Sequence, residues 1–176
     1  AMSDAPLRGH GGHEWFWEPG DERLLQPLPK LLDMYCRSVG RNSTLLLGLT
    51  PDTRGRMPDA DVARLTEFGE AVERMFGSPL AATTTTTTGN LVELPFEQAL
   101  EFDLIVLQED IELGERVRNY ELQVHDGEWH TIATGSCIGH KRIHRLETPC
   151  RGDAVRLRVL AARATPHIQM LSVHGQ

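Results

Sequence analysis

The spacing of apolar residues changes part-way along this chain, and one layer of structure cannot serve both halves. Before residue 77 the spacing is helical; after Asn90 it is every second residue. Leu28, Leu31, Leu32, Tyr35 and Val39 share one helix face, with Pro27 and Pro29 suited to a first turn and Gly40 to a left-handed stop. Val62, Leu65, Gly69, Val72 and Phe76 repeat the pattern after Pro58 and Asp59, and Gly77 ends it. This spacing predicts helices over 27–39 and 60–76. Between them "STLLLGLT" is apolar on both faces, as a parallel strand covered on each side would be, and "PDTRG" turns the chain outward. Helix, buried strand, loop, helix is the grammar of a β/α barrel or a doubly wound sheet. One such strand, with a second expected near "EWFW", is too few to close a barrel, so residues 1–77 read as the tail of a larger domain.

Residues 78–90, "SPLAATTTTTTGN", read as a Thr-rich linker. β-Branching favours extended backbone there, laid down as a spacer, an O-glycosylated tract or an edge strand. Over 91–176 the period is that of strands. Tyr120, Leu122 and Val124 alternate inward, Asp126-Gly127 turns, and Trp129 opens the return; Val155, Leu157 and Val159 oppose Arg156 and Arg158. With "FDLIVLQ", "CIGHKRIHRL" and "HIQMLSVHG" this gives at least six short strands and no convincing helix, an antiparallel β-sandwich. The fold class expected overall is α+β, a truncated barrel end followed by a jelly-roll sandwich.

Twenty-five acidic residues against 18 basic ones leave a net charge of -7, which gives the surface no reason to seek phosphate backbones or anionic lipid. No apolar run approaches the roughly 20 residues a bilayer span requires, no signal sequence opens the chain, and Ala1 reads as a vector-derived residue before an initiating Met2. Neither nucleic acid nor membrane is expected as a partner, and the compartment is left undecided. Cys36, Cys137 and Cys150 are odd in number and unpaired in pattern, so buried free thiols or a single Cys137–Cys150 bridge are the options.

The segments "HEWFW", "LLDMYCRSVGRNSTLLLGLTPDTRG" and "LTEFGEAVERMFGSPLA" resemble the last part of the catalytic barrel of glycoside hydrolase family 29, the α-L-fucosidases. "VLQEDIELGERVRNYELQV", "GSCIGHKRIHRL" and "ARATPHIQMLSVH" resemble the galactose-binding-like sandwich that many of those enzymes carry behind the barrel. The Ser38-Val39-Gly40-Arg41-Asn42 box, the leucine strand and Pro51-Asp52 are its most specific part; Gly48 departs from it, standing where the family usually has asparagine.

The resemblance implies retaining hydrolysis of α-L-fucosyl bonds by two carboxylates about 5 Å apart, with no cofactor. It further implies that the nucleophilic aspartate lies upstream of residue 1 and the acid/base glutamate immediately before the position matched by Asp4. No catalytic residue is therefore expected in the chain, which would be inactive alone. The alternative is a carbohydrate-binding or scaffold sandwich with a barrel remnant attached. Trp15 and Trp17 alternate on an extended segment and, with Arg8, His13 and Glu14, are candidates for the rim of a sugar pocket, one indole being equally a core residue. The spacing of His10, His13 and Glu14 matches no standard metal pattern.

In the sandwich, Trp129 is either a sugar platform or core, and Arg142 and His144 are sugar contacts or part of a basic face paired with nearby acids. Glu109 and Asp110, with Glu112 and Glu115, are a weak calcium candidate or a solvated acidic turn. The partners expected are a fucosylated glycan or other carbohydrate, and a second copy or a missing barrel half to cover the helix stripes.

Overall fold

The computed structural model describes residues 1–9 and 16–175. Two compact units compose it, 1–38 with 43–77, and 39–42 with 78–176. The class is α+β, two α-helices in the first unit and mostly antiparallel sheet in the second.

The first unit runs β1 (Met2–Pro6), α1 (Leu28–Ser38), β2 (Thr44–Gly48) and α2 (Asp59–Phe76). β1 and β2 are parallel, from Met2 opposite Thr44 to Pro6 opposite Gly48. Parallel neighbours need a crossover, and α1 supplies it. The second strand observed is Met2–Pro6; of "EWFW", Glu14 and Trp15 lie outside the described residues, and Phe16 and Trp17 are irregular. "MSDAP" has too little apolar character to announce a strand; its partner β2 makes it one. A further correction concerns β2, which is not covered on both faces: Leu45 and Leu47 are half-buried, whereas Leu46 is 48% exposed. Both helices fall within about a residue of their expected bounds. Leu31 on α1 and Ala71 and Met75 on α2 are buried, and Tyr35 meets Phe68 edge-on at 6.2 Å and Phe76 at 5.5 Å.

The second unit is one seven-stranded sheet. Its strands are β3 (Ala81–Ala82), β4 (Thr87–Thr88), β5 (Leu91–Glu109), β6 (Val117–His125), β7 (Trp129–Gly135), β8 (Arg142–Ala162) and β9 (His167–His174). The order is β3-β9-β5-β8-β6-β7, with β4 also on β9. Part of the threonine tract is therefore edge strand: Thr87 and Thr88 pair with Ile168 and His167, and Thr83 exchanges hydrogen bonds with Leu171.

The end of "CIGHKRIHRL" and all of "AVRLRVLAA", which read in the sequence as separate strands, join in one long β8, and "FDLIVLQ" is the end of a long β5. β5 and β8 stay antiparallel along their length but lose register between Pro95 and Leu100, where Phe96 to Ala99 stand against Asp153 alone. Pro95 has no N–H to give the ladder, so the bulge falls beside it. One core follows. Tyr120, Leu122 and Val124 of β6, Val155, Leu157 and Val159 of β8, Ile105 and Leu107 of β5, and Leu171 and Val173 of β9 are buried together. All three cysteines are free thiols, so no Cys137–Cys150 bridge forms.

Residues 39–42 belong to this sheet unit. Asn42 takes a left-handed backbone (φ 64°); its side chain donates to the Ile138 carbonyl at 3.0 Å and accepts from the Lys141 N–H at 2.9 Å. Arg41 forms a bridge with Arg142.

Candidate functional site

Of the residues expected at a sugar rim, His13, Glu14 and Trp15 lie outside the described residues, as does His10. Arg8 is 2% exposed, its guanidinium held by two buried carboxylates. Nε donates to both oxygens of Asp61 at 2.9 and 3.0 Å, Nη2 also meets Asp61, and Nη1 meets Asp21. Arg8 is thus a structural tie in this unit. Around it the chain closes on itself: Gly9 N–H donates to Leu24 O, Gln26 N–H to Leu7 O, and the Gln26 amide to Gly9 O. Gly9 is thus tied to Leu24 and Gln26 across the intervening segment. Trp17 sits on that segment, half-buried, its Nε1 without an acceptor among the described residues. The sequence gives no sign that Asp61, 53 residues away, is the partner of Arg8.

In the sheet unit, Arg142 and His144 lie on the inner face of β8, opposite Leu107 and Ile105 of β5. His144 Nε2 is 2.7 Å from the Tyr120 hydroxyl. Burial pushes the His144 pKa down to about 4, with the Arg142 and Arg41 charges acting in the same direction, so the ring is neutral at neutral pH. Burial raises Tyr120 to about 12. An open pocket of about 380 Å³ adjoins this histidine, lined by Ile132, Leu146 and Cys150 on its apolar side and by Glu147 and Thr148 on its polar side. That size and mixture suit a single sugar ring.

Trp129 is not core. It lies on the polar face of the sheet, half-buried, with the Arg156 guanidinium 4.0 Å from its ring centroid and the His125 ring at 5.0 Å. Glu109 is 1% exposed and accepts from the N–H groups of Arg116, Val117 and Gly139 at 2.8–3.0 Å. Asp110 caps the short turn at Ile111–Leu113 by accepting from Glu112 N–H. Both acids are thus engaged by backbone. Among the described residues no three His, Cys, Asp or Glu side chains converge as a metal site. Nor does Glu109 pair with the basic run on β8, as the sequence suggested; its oxygens are taken by backbone N–H groups.

No protein-family model matches the chain. Whole proteins do. It is 26% identical to α-L-fucosidase 1 of Arabidopsis thaliana over 195 residues, 91% of this chain and 38% of that protein. Among solved structures, one from Bacteroides thetaiotaomicron VPI-5482, provisionally described as an α-L-fucosidase, is 42% identical with a TM-score of 0.94 and covers 99% of this chain. The chain is homologous to part of the family 29 α-L-fucosidases. A glycoside hydrolase family 29 member from an unknown rumen bacterium agrees, at 27% identity and a TM-score of 0.85 over 99% of this chain. The chain spans 38% of the Arabidopsis α-L-fucosidase and 40% of the Bacteroides structure. The box that carries the family 29 resemblance, Ser38 to Asn42, ends in the sheet unit, where Asn42 clips the Ile138–Lys141 turn.

Proposed function

We propose that this chain is the C-terminal portion of a retaining α-L-fucosidase, acting on a fucosylated glycan, and that it is inactive alone. The observation that carries this reading is the match of nearly the whole chain, at 42% identity, to 40% of a longer protein. On this reading the first unit is the end of a β/α barrel and the second a galactose-binding-like sandwich. Retaining hydrolysis needs two carboxylates facing each other across the sugar about 5 Å apart, one as nucleophile and one as acid/base. Asp21 and Asp61 are buried and committed to Arg8, which removes them from that role. Glu18 and Glu22 are exposed. On this reading both catalytic carboxylates belong to another part of the parent enzyme. His13, Glu14, Trp15 and Trp17 are assigned to the rim of the sugar pocket, on the segment that Arg8 anchors.

The test is hydrolysis of an aryl α-L-fucoside. The expected result is no turnover by the 176-residue chain. Turnover that Glu14→Gln abolishes would show a complete acid/base pair within the chain and overturn the reading.

The pocket beside His144 favours a second role, sugar binding by the sheet unit. L-Fucose and galactose titrated against the chain should perturb the amide resonances of Ile132, Leu146 and Thr148. Silence at those positions would leave the unit a brace.

A further inference from the structure

Arg41 and Arg142 stand where sheet geometry resists them. They oppose each other across an antiparallel bridge, flanked by Asn42 N–H donating to Lys141 O at 3.3 Å and Ile143 N–H donating to Gly40 O at 3.1 Å. That flanking marks the pair without mutual hydrogen bonds, in which Cα atoms are only about 4.5 Å apart and both side chains leave on one face. Like charges so placed repel each other. No ion pair relieves either arginine among the described residues. Glu109, whose charge reaches neighbouring Tyr120, has its oxygens taken by three backbone N–H groups. Arg142 Nε is buried with no acceptor.

The fold nevertheless holds the two in place. The Asn42 side chain clamps the turn on both sides, and Gly139, at φ 62°, lies so close that a Cβ there would be 2.5 Å from the Asn42 amide nitrogen. Both guanidiniums act on the same point, since each lowers the basicity of His144. The run from His140 to Arg145 contains no acid, in a chain of net charge -7. The result is a cluster of donors and positive charge with no carboxylate partner among the described residues, one buried donor being unused. An unsatisfied buried donor and an unpaired half-buried guanidinium are each unfavourable, and one oxyanion relieves both.

We propose that Arg41 and Arg142 form a receptor for a single oxyanion, a carboxylate or sulfate group of the kind an acidic sugar carries. The anion sits between the two guanidiniums and accepts from Arg142 Nε; charge-assisted bonds of this kind are the strong ones, and planar guanidinium suits both groups. The site does not depend on fucoside hydrolysis, so either idea can fail while the other stands.

The experiment is a titration of the full chain, labelled with ¹⁵N, following arginine Nε–Hε resonances. Sodium sulfate and sodium D-glucuronate are added separately, against sodium chloride at matched ionic strength and L-fucose as an uncharged control. Saturable shifts of the Arg41 and Arg142 resonances are expected with sulfate or glucuronate and not with L-fucose. Arg41→Gln, at an exposed position that leaves the core intact, should weaken binding by about tenfold or more, the size of one charge-assisted bond. Arg142→Lys, which keeps the charge and loses the fork, should weaken it less than Arg142→Gln. Tighter binding of glucuronate than of sulfate identifies a sugar-borne anion, and the reverse a free oxyanion. No saturation with either, or an affinity unchanged in Arg41→Gln, overturns the proposal.

Discussion

Arg8 exchanges water for Asp21 and Asp61, and the arrangement is stable only while all three are present. Removing one partner from a buried pair leaves a charge with no solvent and no counter-charge, a loss of about 3–5 kcal/mol. Arg8→Leu should therefore destabilise the chain by about that much in urea unfolding followed by circular dichroism. Arg8→Leu combined with Asp61→Leu should recover part of the loss. His144 makes a second residue-scale prediction. Its folded pKa, about 4, lies below the unfolded value near 6.5, so the fold favours the neutral ring. That contribution is complete above about pH 6.5, declines as pH falls toward 4 and is absent below it, a span worth roughly 3 kcal/mol. The urea midpoint should fall more steeply between those limits for the native chain than for His144→Gln. Equal slopes would show that the imidazole is not the group being titrated.

At the scale of elements, patterning carried the reading where burial is one-sided. Both helices and the inward alternation of β6 and β8 are plain because packing selects the residues that define the period. β1 escaped because its identity as a strand lies in its neighbour β2. The length of β8 escaped because Pro149 and Gly152 look like a turn; residues 146–149 instead bulge opposite Asp103, and Cys150 to Gly152 resume pairing with β5. Site residues were less legible. Arg8 was visible as a candidate, but its burial depends on Asp61, and nothing local joins the two. The Ser38–Asn42 box was legible as a motif and not as a device. Its structural content is Asn42, a left-handed residue with two side-chain bonds to the turn before β8. Asn42→Gly keeps the backbone and loses the bonds, whereas Asn42→Ala loses both. With about 1 kcal/mol per bond and 1–2 kcal/mol for the left-handed backbone, the alanine variant should be about 3–4 kcal/mol less stable than native and the glycine variant about 2 kcal/mol. Equal losses would mean the backbone conformation is not strained.

For the molecule as a whole, the decisive feature is a two-stranded parallel sheet with one open face. Met2, Asp4, Thr44 and Leu46 point to that side, and all are exposed, Met2 by 68%. Parallel sheets are ordinarily buried on both faces, and two strands alone are marginal in water. Leu49, 43% exposed just past β2, adds apolar surface at the strand's end. A face of this kind gains most by meeting another apolar surface, whether a second copy of the chain or further strands of a barrel. The isolated chain is therefore expected to self-associate with rising concentration in sedimentation velocity and to bind an apolar dye. Leu46→Lys puts a charge at the centre of the open face without touching the half-buried side, so it should shift the boundary to monomer and reduce dye binding while the circular dichroism spectrum stays the same. If the native chain remains monomeric across a wide dilution series and binds no dye, β1 and β2 are stable as an uncovered pair, and the case for a covering barrel loses its physical support.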